Sequence, residues 1–374
     1  MRTSASAVSG WRDAARAVPR AAFLPERVWP FDQGGGRHRF VDRAADPDAW
    51  HAAAEADVPI TTQWDDGRHN GDAPGDLPTS SASQPSLVLR MLDMLDAHRA
   101  ERVLEVGTGT GWNAALLAHA LGDEAVTSVE VDATVAARAR RALAAVGLGP
   151  RVVTGDGNAG WPPGAPYDRM IATYGLRRIP WAWVEQMRPG GVIVVPWGTP
   201  WSPADALVRL VVAEDGASAS GQFADDLVQF MKARSQRHTV EHATYVSGPW
   251  PHGADESATA LGPEVMTGGS YDPALFVLGL LVRQCALAVG TQDDGTTVAW
   301  LYGLGGDASW AAVGWRSGTD GGEVYQHGPR RLWSEAEAAL GWWRRRGEPG
   351  PGRFGLTISR EGEHIWLDTG VPLP

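Results

Sequence analysis

The stretch TSSASQPSLV, Thr79 to Val88, packs four hydroxyls and an amide into its first six residues, then a proline and the start of an apolar run. Capping a helix takes one hydroxyl. Four describe either a solvated loop or a loop that holds something. A second stretch, LEVGTGTGWNAALLA from Leu104 to Ala118, runs from an apolar strand into Gly107, Gly109 and Gly111 and on into a helix. Glycines let a bound molecule approach the backbone closely, and a helix start offers free N–H groups. Taken alone, this pattern serves any nucleotide. Three neighbours narrow it. Glu105 stands two residues before the first glycine, Glu130 and Asp132 close the next strand, and Gly155-Asp156-Gly157 follows the third.

A carboxylate at the end of the second strand can accept from both hydroxyls of a ribose. A carboxylate beside the glycine loop repels a pyrophosphate and suits a cation. The ligand with a ribose, an adenine and a positive centre is S-adenosylmethionine. No H-E-x-x-H or comparable pattern is found among the ten histidines, so the expected site is metal-free.

These residues need elements to position them. Val88, Met91, Leu92 and Leu95 follow the spacing of one helix face. Strands are expected at Arg102–Val106, Ala125–Val129, Arg151–Thr154, Tyr167–Thr173 and Gly190–Pro196. Helices are expected at Asn113–Leu121 and Thr134–Val146, with another in PWAWVEQM before the last strand. Strands alternating with helices at this spacing form βαβ units and a mostly parallel sheet. The expected class is α/β, a Rossmann-like class I methyltransferase doubly wound sheet with a C-terminal α+β extension. Residues 1–78 read as an N-terminal helix and an irregular, substrate-covering segment with a loop from Asp65 to Pro78; 79–235 read as the methyltransferase domain; 236–374 read as a Trp-rich, substrate-recognising extension. In that extension Ser334 and Glu337 form a capping-box pattern, and Arg344–Arg346 fall in the same helix's last turn.

Composition sets limits. A net charge of −11 argues against binding DNA or RNA, which takes clustered Lys and Arg. An RNA adenine methyltransferase would also want an N/D-P-P-Y-type loop where this chain has ATYGL, Ala172 to Leu176. The single cysteine, Cys285, excludes an internal disulfide and reads as a buried small hydrophobe. No secretory signal is read in the first residues. The most apolar run, Ala274 to Val289, is too short for a membrane span and holds Arg283 and Gln284, so it reads as a core helix of a cytoplasmic protein.

From about residue 15 to 235 the chain resembles the protein L-isoaspartate O-methyltransferase family. VPRAAFLPE (Val18–Glu26), LEVGTGTGWNAA, TSVE (Thr127–Glu130), VVTGDGNAGWPPGAPYDRMIAT (Val152–Thr173) and IPWAWVEQMRPGGVIVVPWG (Ile179–Gly198) resemble its segments in order. The resemblance implies methyl transfer from S-adenosylmethionine to an aspartate-derived carboxylate, leaving S-adenosyl-L-homocysteine. Ser81-Ala82-Ser83-Gln84-Pro85 lines up with the family's "T-I-S-Q/A-P", which places the catalytic-site hydroxyl on Ser83. Candidate cofactor contacts are Ser81, Glu105, Gly107, Thr108, Gly109, Gly111, Glu130, Val131, Asp156 and Gly157. Candidate substrate contacts are Ser83, Gln84, Ser86 and Met231.

Two features depart from the repair enzymes of that family. The loop before Thr79 is longer than their substrate-covering segment. LVQFMKARSQR (Leu227–Arg237) stands where a "VPLT"-like strand is usual, and the chain then runs on. The layout resembles the branch associated with ribosomally made, modified peptides. It implies a defined, already cyclised precursor peptide whose methylated aspartate closes to an aspartimide, with isoaspartyl repair as the alternative. A cofactor-binding module without catalysis would tolerate loss of Ser83, which is present.

Overall fold

The computed structural model describes residues 10–32, 34–248, 250–251, 253–306, 308–368 and 371–373. The expectation of no secretory signal rests on residues that include 1–9, which lie outside the described residues.

The N-terminal stretch is not irregular. Helix α1 (Trp11–Ala17) precedes a small antiparallel sheet in which β1 (Arg27–Asp32) pairs with β2 (Arg37–His38), β3 (Val41–Asp42) and β4 (Ile60–Trp64), and β4 with β5 (Pro78–Ala82). Helix α2 (Pro47–Glu55) is capped by the Asp46 carboxylate, which accepts from the Ala49 amide at 3.0 Å. Its Trp50 packs with Val28, Val41 and Ile60 to form a local core. These strands are too short, and β1 too interrupted by Pro30, for a period-2 pattern to stand out.

The next elements alternate as expected: α3 (Pro85–Leu95), β6 (Val103–Val106), α4 (Trp112–Leu121), β7 (Val126–Glu130), α5 (Ala133–Ala145), β8 (Arg151–Thr154), β9 (Tyr167–Ala172), α6 (Trp181–Glu185) and β10 (Met187–Trp197). Two long strands, β11 (Asp205–Val212) and β12 (Ser218–Val228), complete this part. Strands β8-β7-β6-β9-β10 lie side by side and parallel; from β10 outward the pairing is antiparallel. β6 and β7 are buried along their whole length, β7 with Thr127, Ser128 and Glu130 among its five residues. Helix α3 buries Val88, Met91, Leu92 and Leu95.

Beyond residue 236 come α7 (His242–Tyr245), β13 (Asp255–Thr259), α8 (Pro273–Leu281), β14 (Cys285–Thr291), β15 (Thr297–Gly303), β16 (Trp310–Trp315), β17 (Gly322–His327) and α9 (Leu332–Arg345). The five strands form a second antiparallel sheet, β13-β17-β16-β15-β14. Leu275 and Leu278 of α8 and Trp333 and Leu340 of α9 pack on its Leu301, Val313 and Val324. The chain then returns. Strands β18 (Phe354–Ser359), β19 (Gly362–Leu367) and β20 (Val371–Pro372) join the central sheet through β12, making it ten strands wide.

Two expectations for the extension need correction. The apolar run from Ala274 to Val289 is a helix followed by a strand, α8 and then β14, broken at Gln284 with φ +51°. Helix α9 starts at Leu332, ahead of Ser334, so Ser334 and Glu337 form no capping box. The Gln326 side-chain oxygen accepts from the Trp333 amide at 2.9 Å, and Glu337 accepts from Thr259 at 2.6 Å. Cys285 is buried. Among the described residues no helix is long and apolar enough to cross a membrane.

Candidate active site

Because β6, β7, β8 and β9 are parallel, the loops that follow them leave from one edge of the sheet. The loop after β6 is held from β7: the Gly107 amide donates to Val129 O at 2.8 Å and the Gly109 amide to Glu130 Oε2 at 2.9 Å. Gly107 has φ +98°, and a Cβ there would fall 2.5 Å from Thr173 Oγ1 and 2.7 Å from Tyr174 Cδ1. A Cβ on Gly157 would meet Val106 at 2.3 Å and Tyr174 Oη at 3.0 Å. The Tyr174 ring therefore lies between these two glycines. Burial, with Asp156 and Glu130 nearby, raises its pKa, so the phenol keeps its proton. Gly111, at φ +94°, opens α4.

The acidic residues divide. Glu105 is wholly buried, and both its oxygens are engaged: Asn113 donates to Oε1 at 2.8 Å and Ser128 to Oε2. This corrects the expectation that Glu105 faces a cation directly. It ties β6 to α4 and β7, while Thr108 Oγ1 bonds Ser128 Oγ at 2.5 Å in the same network. Burial pushes the Glu105 pKa up to about 7. Glu130 accepts one N–H on each oxygen, from Gly109 and from Asp132 at 3.0 Å, which leaves further lone pairs. Burial raises its pKa as well. Val131, beside it, is 52% exposed, unusual for so apolar a residue at a strand end. Asp156 is exposed and accepts from the Asn158 amide at 2.9 Å.

The hydroxyl-rich stretch meets this loop. Ser81 O lies 3.5 Å from the Cβ position of Gly109. Ser83 is half-buried between β5 and α3, and its hydroxyl makes no hydrogen bond among the described residues. Its neighbours are clamped. Arg20 Nη2 donates to Ala82 O at 2.7 Å and to Val58 O at 2.9 Å. Asp57 caps α3 from outside the helix: Oδ1 accepts from the Ser86 amide at 2.8 Å and Oδ2 from Gln84 Nε2 at 3.0 Å. Burial acts to raise the Asp57 pKa, but these bonds outweigh it and hold the carboxyl below its ordinary value. Gln84 and Ser86, expected at the substrate, are thus engaged with Asp57. Thr79 and Ser80 bond Gln63 at 2.9 Å and Thr62 at 3.3 Å.

A polar cluster that sequence reasoning missed closes the edge beside Glu130. Asp132 caps α5, and its other oxygen accepts from Gln63 at 3.0 Å and Arg234 at 3.1 Å. Arg234 and Arg237 also reach Asp66, at 3.0 and 3.2 Å. Residues from three distant segments meet here, so no local spacing signals it. Met231 accepts from the Gly175 amide at 2.8 Å through its carbonyl, laying the segment after β12 beside Tyr174. Among the described residues no three His, Cys, Asp or Glu side chains gather as a metal set.

A glycine loop, an acidic strand end and a hydroxyl at a helix start, converging from segments in this order, have counterparts in known proteins. The protein-L-isoaspartate O-methyltransferase 1 of Rhodopseudomonas palustris (strain HaA2) is 37% identical over 198 residues, 53% of this chain and 65% of that protein. The protein-L-isoaspartate O-methyltransferase of Ignicoccus hospitalis is 41% identical over 116 residues, 30% of this chain and 55% of that one. The chain thus spans less than two thirds of the length of these relatives. A solved protein-L-isoaspartate O-methyltransferase superimposes over 96% of this chain and 95% of its own, with TM-score 0.53 and 21% identity, and so shares the fold. Residues 37–231 match the family model described as protein-L-isoaspartate(D-aspartate) O-methyltransferase, and the chain belongs to that family.

Proposed function

We propose that this chain is an S-adenosylmethionine-dependent O-methyltransferase whose substrate is the carboxylate of an isoaspartyl residue in a peptide. The observation that carries the reading is the approach of Ser81 to Gly109. Ser83 is two residues farther, at most about 7 Å along the chain, so an uncommitted hydroxyl stands at the rim of the glycine loop.

The residues fit the cofactor. Gly109 leaves backbone open to a ligand, Glu130 keeps lone pairs for a ribose, and Val131 offers apolar surface to a purine. When bound, S-adenosylmethionine supplies a methyl group on a sulfonium. A free carboxyl titrates near 4, so the nucleophile arrives ionised and the chain need not supply a base. The protein's part is alignment and exclusion of water. Ser83 holds one carboxylate oxygen and leaves the other free to be methylated. Protonated Tyr174 borders the same space. In the ester the following backbone nitrogen can expel methanol and close a succinimide.

The relatives' descriptions support the isoaspartyl substrate. The finer reading, an aspartate in a macrocyclic ribosomal peptide carried to an aspartimide, is supported by the long extension alone. The test offers S-adenosylmethionine with a linear isoaspartyl peptide and, separately, a macrocyclic aspartyl peptide. A methyl ester on the linear peptide is the expected result. Transfer confined to the macrocycle, followed by methanol loss, would replace it with the biosynthetic reading. Transfer to neither sinks both.

A further inference from the structure

The segment leaving β9 passes Tyr174 and reaches Arg177, three residues on and at most about 11 Å along the chain. Arg177 is half-buried, and its Nε and Nη1 are buried with no hydrogen-bond partner among the described residues. The carboxylate that acts on its charge is Asp205, whose Oδ1 is buried with no hydrogen-bond partner among the described residues. Asp205 is wholly buried, and its Oδ2 accepts from Lys232 Nζ at 2.7 Å and from the Phe230 amide at 3.1 Å. One carboxylate therefore faces two cations, leaving one positive charge in excess. His238 stands beside Arg177; burial and that charge lower its pKa, so the ring is neutral at pH 7 and able to donate one hydrogen bond.

This cationic corner opens onto a cavity of about 260 Å³ lined by Arg177, Pro200, His238, Ala286, Ala288 and Tyr302. Arg177 and Pro200 come from the methyltransferase part and the rest of the lining from the extension. Ala286 and Ala288 on β14 pair in register with Tyr302 and Trp300 on β15, so small side chains form a floor flanked by aromatic rings. Cavities that take whole small molecules run from about 300 to 1,000 Å³. This one is sized for a side chain. Its chemistry, a guanidinium with spare donors beside an imidazole, suits a carboxylate.

We propose that this seam pocket receives a second carboxylate of the substrate peptide, borne by an acidic residue within about four positions of the methylated one. The inference rests on the proposed function and adds to it a sequence preference. It also gives the extension a task, since the pocket has no floor without β14. Arg177 grips the acidic side chain, and His238 adds a neutral hydrogen bond.

The test compares isoaspartyl peptides that carry a single Glu two to four residues to either side of the target with the matching Gln peptides. The enzymes are wild type, Arg177→Gln, Arg177→Lys and Ala288→Trp, each with a thermal melt. In at least one position the Glu peptide should show about tenfold higher kcat/KM on wild type, mainly through KM. Arg177→Gln should abolish that preference and Arg177→Lys retain part of it. Ala288 is exposed, so Ala288→Trp should abolish the preference by filling the pocket while the fold is kept. Equal turnover of Glu and Gln peptides at every position overturns the proposal, and so does a preference that survives Arg177→Gln and Ala288→Trp. If wild type methylates no peptide, the transferase reading fails, and equilibrium binding of the same labelled peptides decides the pocket alone. Tighter binding of a Glu peptide by about tenfold, lost in Ala288→Trp, upholds it; equal binding overturns it.

Discussion

Gly107 is the position least able to change. A methyl group there collides with Thr173 and Tyr174 in a backbone conformation that side chains avoid. Gly109, at φ +55°, has only Ser81 O at 3.5 Å. Gly107→Ala should therefore cost about 1–3 kcal/mol of stability and weaken S-adenosylmethionine binding. Gly109→Ala should cost about 1 kcal/mol, the left-handed penalty alone. Thermal melts and calorimetric titration with the cofactor separate them, and equal effects would contradict the packing described. Ser83 makes a different prediction, because its hydroxyl has no hydrogen-bond partner among the described residues. Ser83→Ala should leave the melting temperature and cofactor binding in place and slow methyl transfer by about 10²–10³, the usual loss of one oxyanion-type donor. Unchanged kcat removes Ser83 from the site.

At the scale of elements, the start of α3 is what aims Ser83. Its Ser86 amide is capped by Asp57, a residue of the loop before β4, whose other oxygen accepts from the Gln84 side chain at the N-cap. Asp57→Ala should destabilise the protein by about 1 kcal/mol and lower kcat together. Asp57→Asn keeps an acceptor for the Ser86 amide and should recover most of the stability; melts and steady-state kinetics on both variants decide. This arrangement also marks the limit of what was legible in the sequence. The strands and helices from Val88 to Trp197 were legible because one-face helix periodicity alternates there with short β-branched stretches. The glycine loop and Glu130 stood out because each sits at a junction of such elements, and Ser83 was singled out by its resemblance to the family's T-I-S-Q/A-P pattern. Asp57 lies 29 residues from the amide it caps, and Arg234 lies 171 residues from Gln63, so neither leaves a local pattern. The start of α9 was misplaced for the same reason: Gln326, on a neighbouring strand, supplies the acceptor that Ser334 was expected to provide. Glu105 was placed correctly on its strand, but its burial, and so its role as a brace, depends on Asn113 and Ser128 closing over it.

At the scale of the whole molecule, the extension cannot be a detachable appendage. β18 pairs with β12 from Ser218↔Ser359 to Gln222↔Gly355, and Phe276, Leu356 and Ile358 share one core with Ile193 and Val208. Truncation after Arg237 should leave an open β12 edge and an uncovered core, and so a chain that aggregates or melts without cooperativity. A soluble, cooperative fragment would refute this. A buried polar link between the two parts is Glu363 on β19. Its oxygens accept from the Ile179 amide at 2.5 Å and from Trp197 Nε1 at 3.3 Å, just past the segment that carries Arg177. Burial pushes its pKa up to about 7, against the pull of those bonds and of Arg178. The folded state therefore holds this proton more tightly than the unfolded chain does, where the carboxyl titrates near its ordinary 4.5. The contribution to stability is complete below pH 4.5 and is lost as pH rises through about 7. Glu363→Gln carries no such titration. Relative to the variant, the wild type should lose at most about 1.4 kcal/mol per pH unit across that window. Urea unfolding of both proteins at pH 5, 6, 7 and 8 measures the difference. A constant offset between them would mean that Glu363 ionises in the fold as it does in the open chain, and that its burial between β19 and the Ile179 loop is not as described.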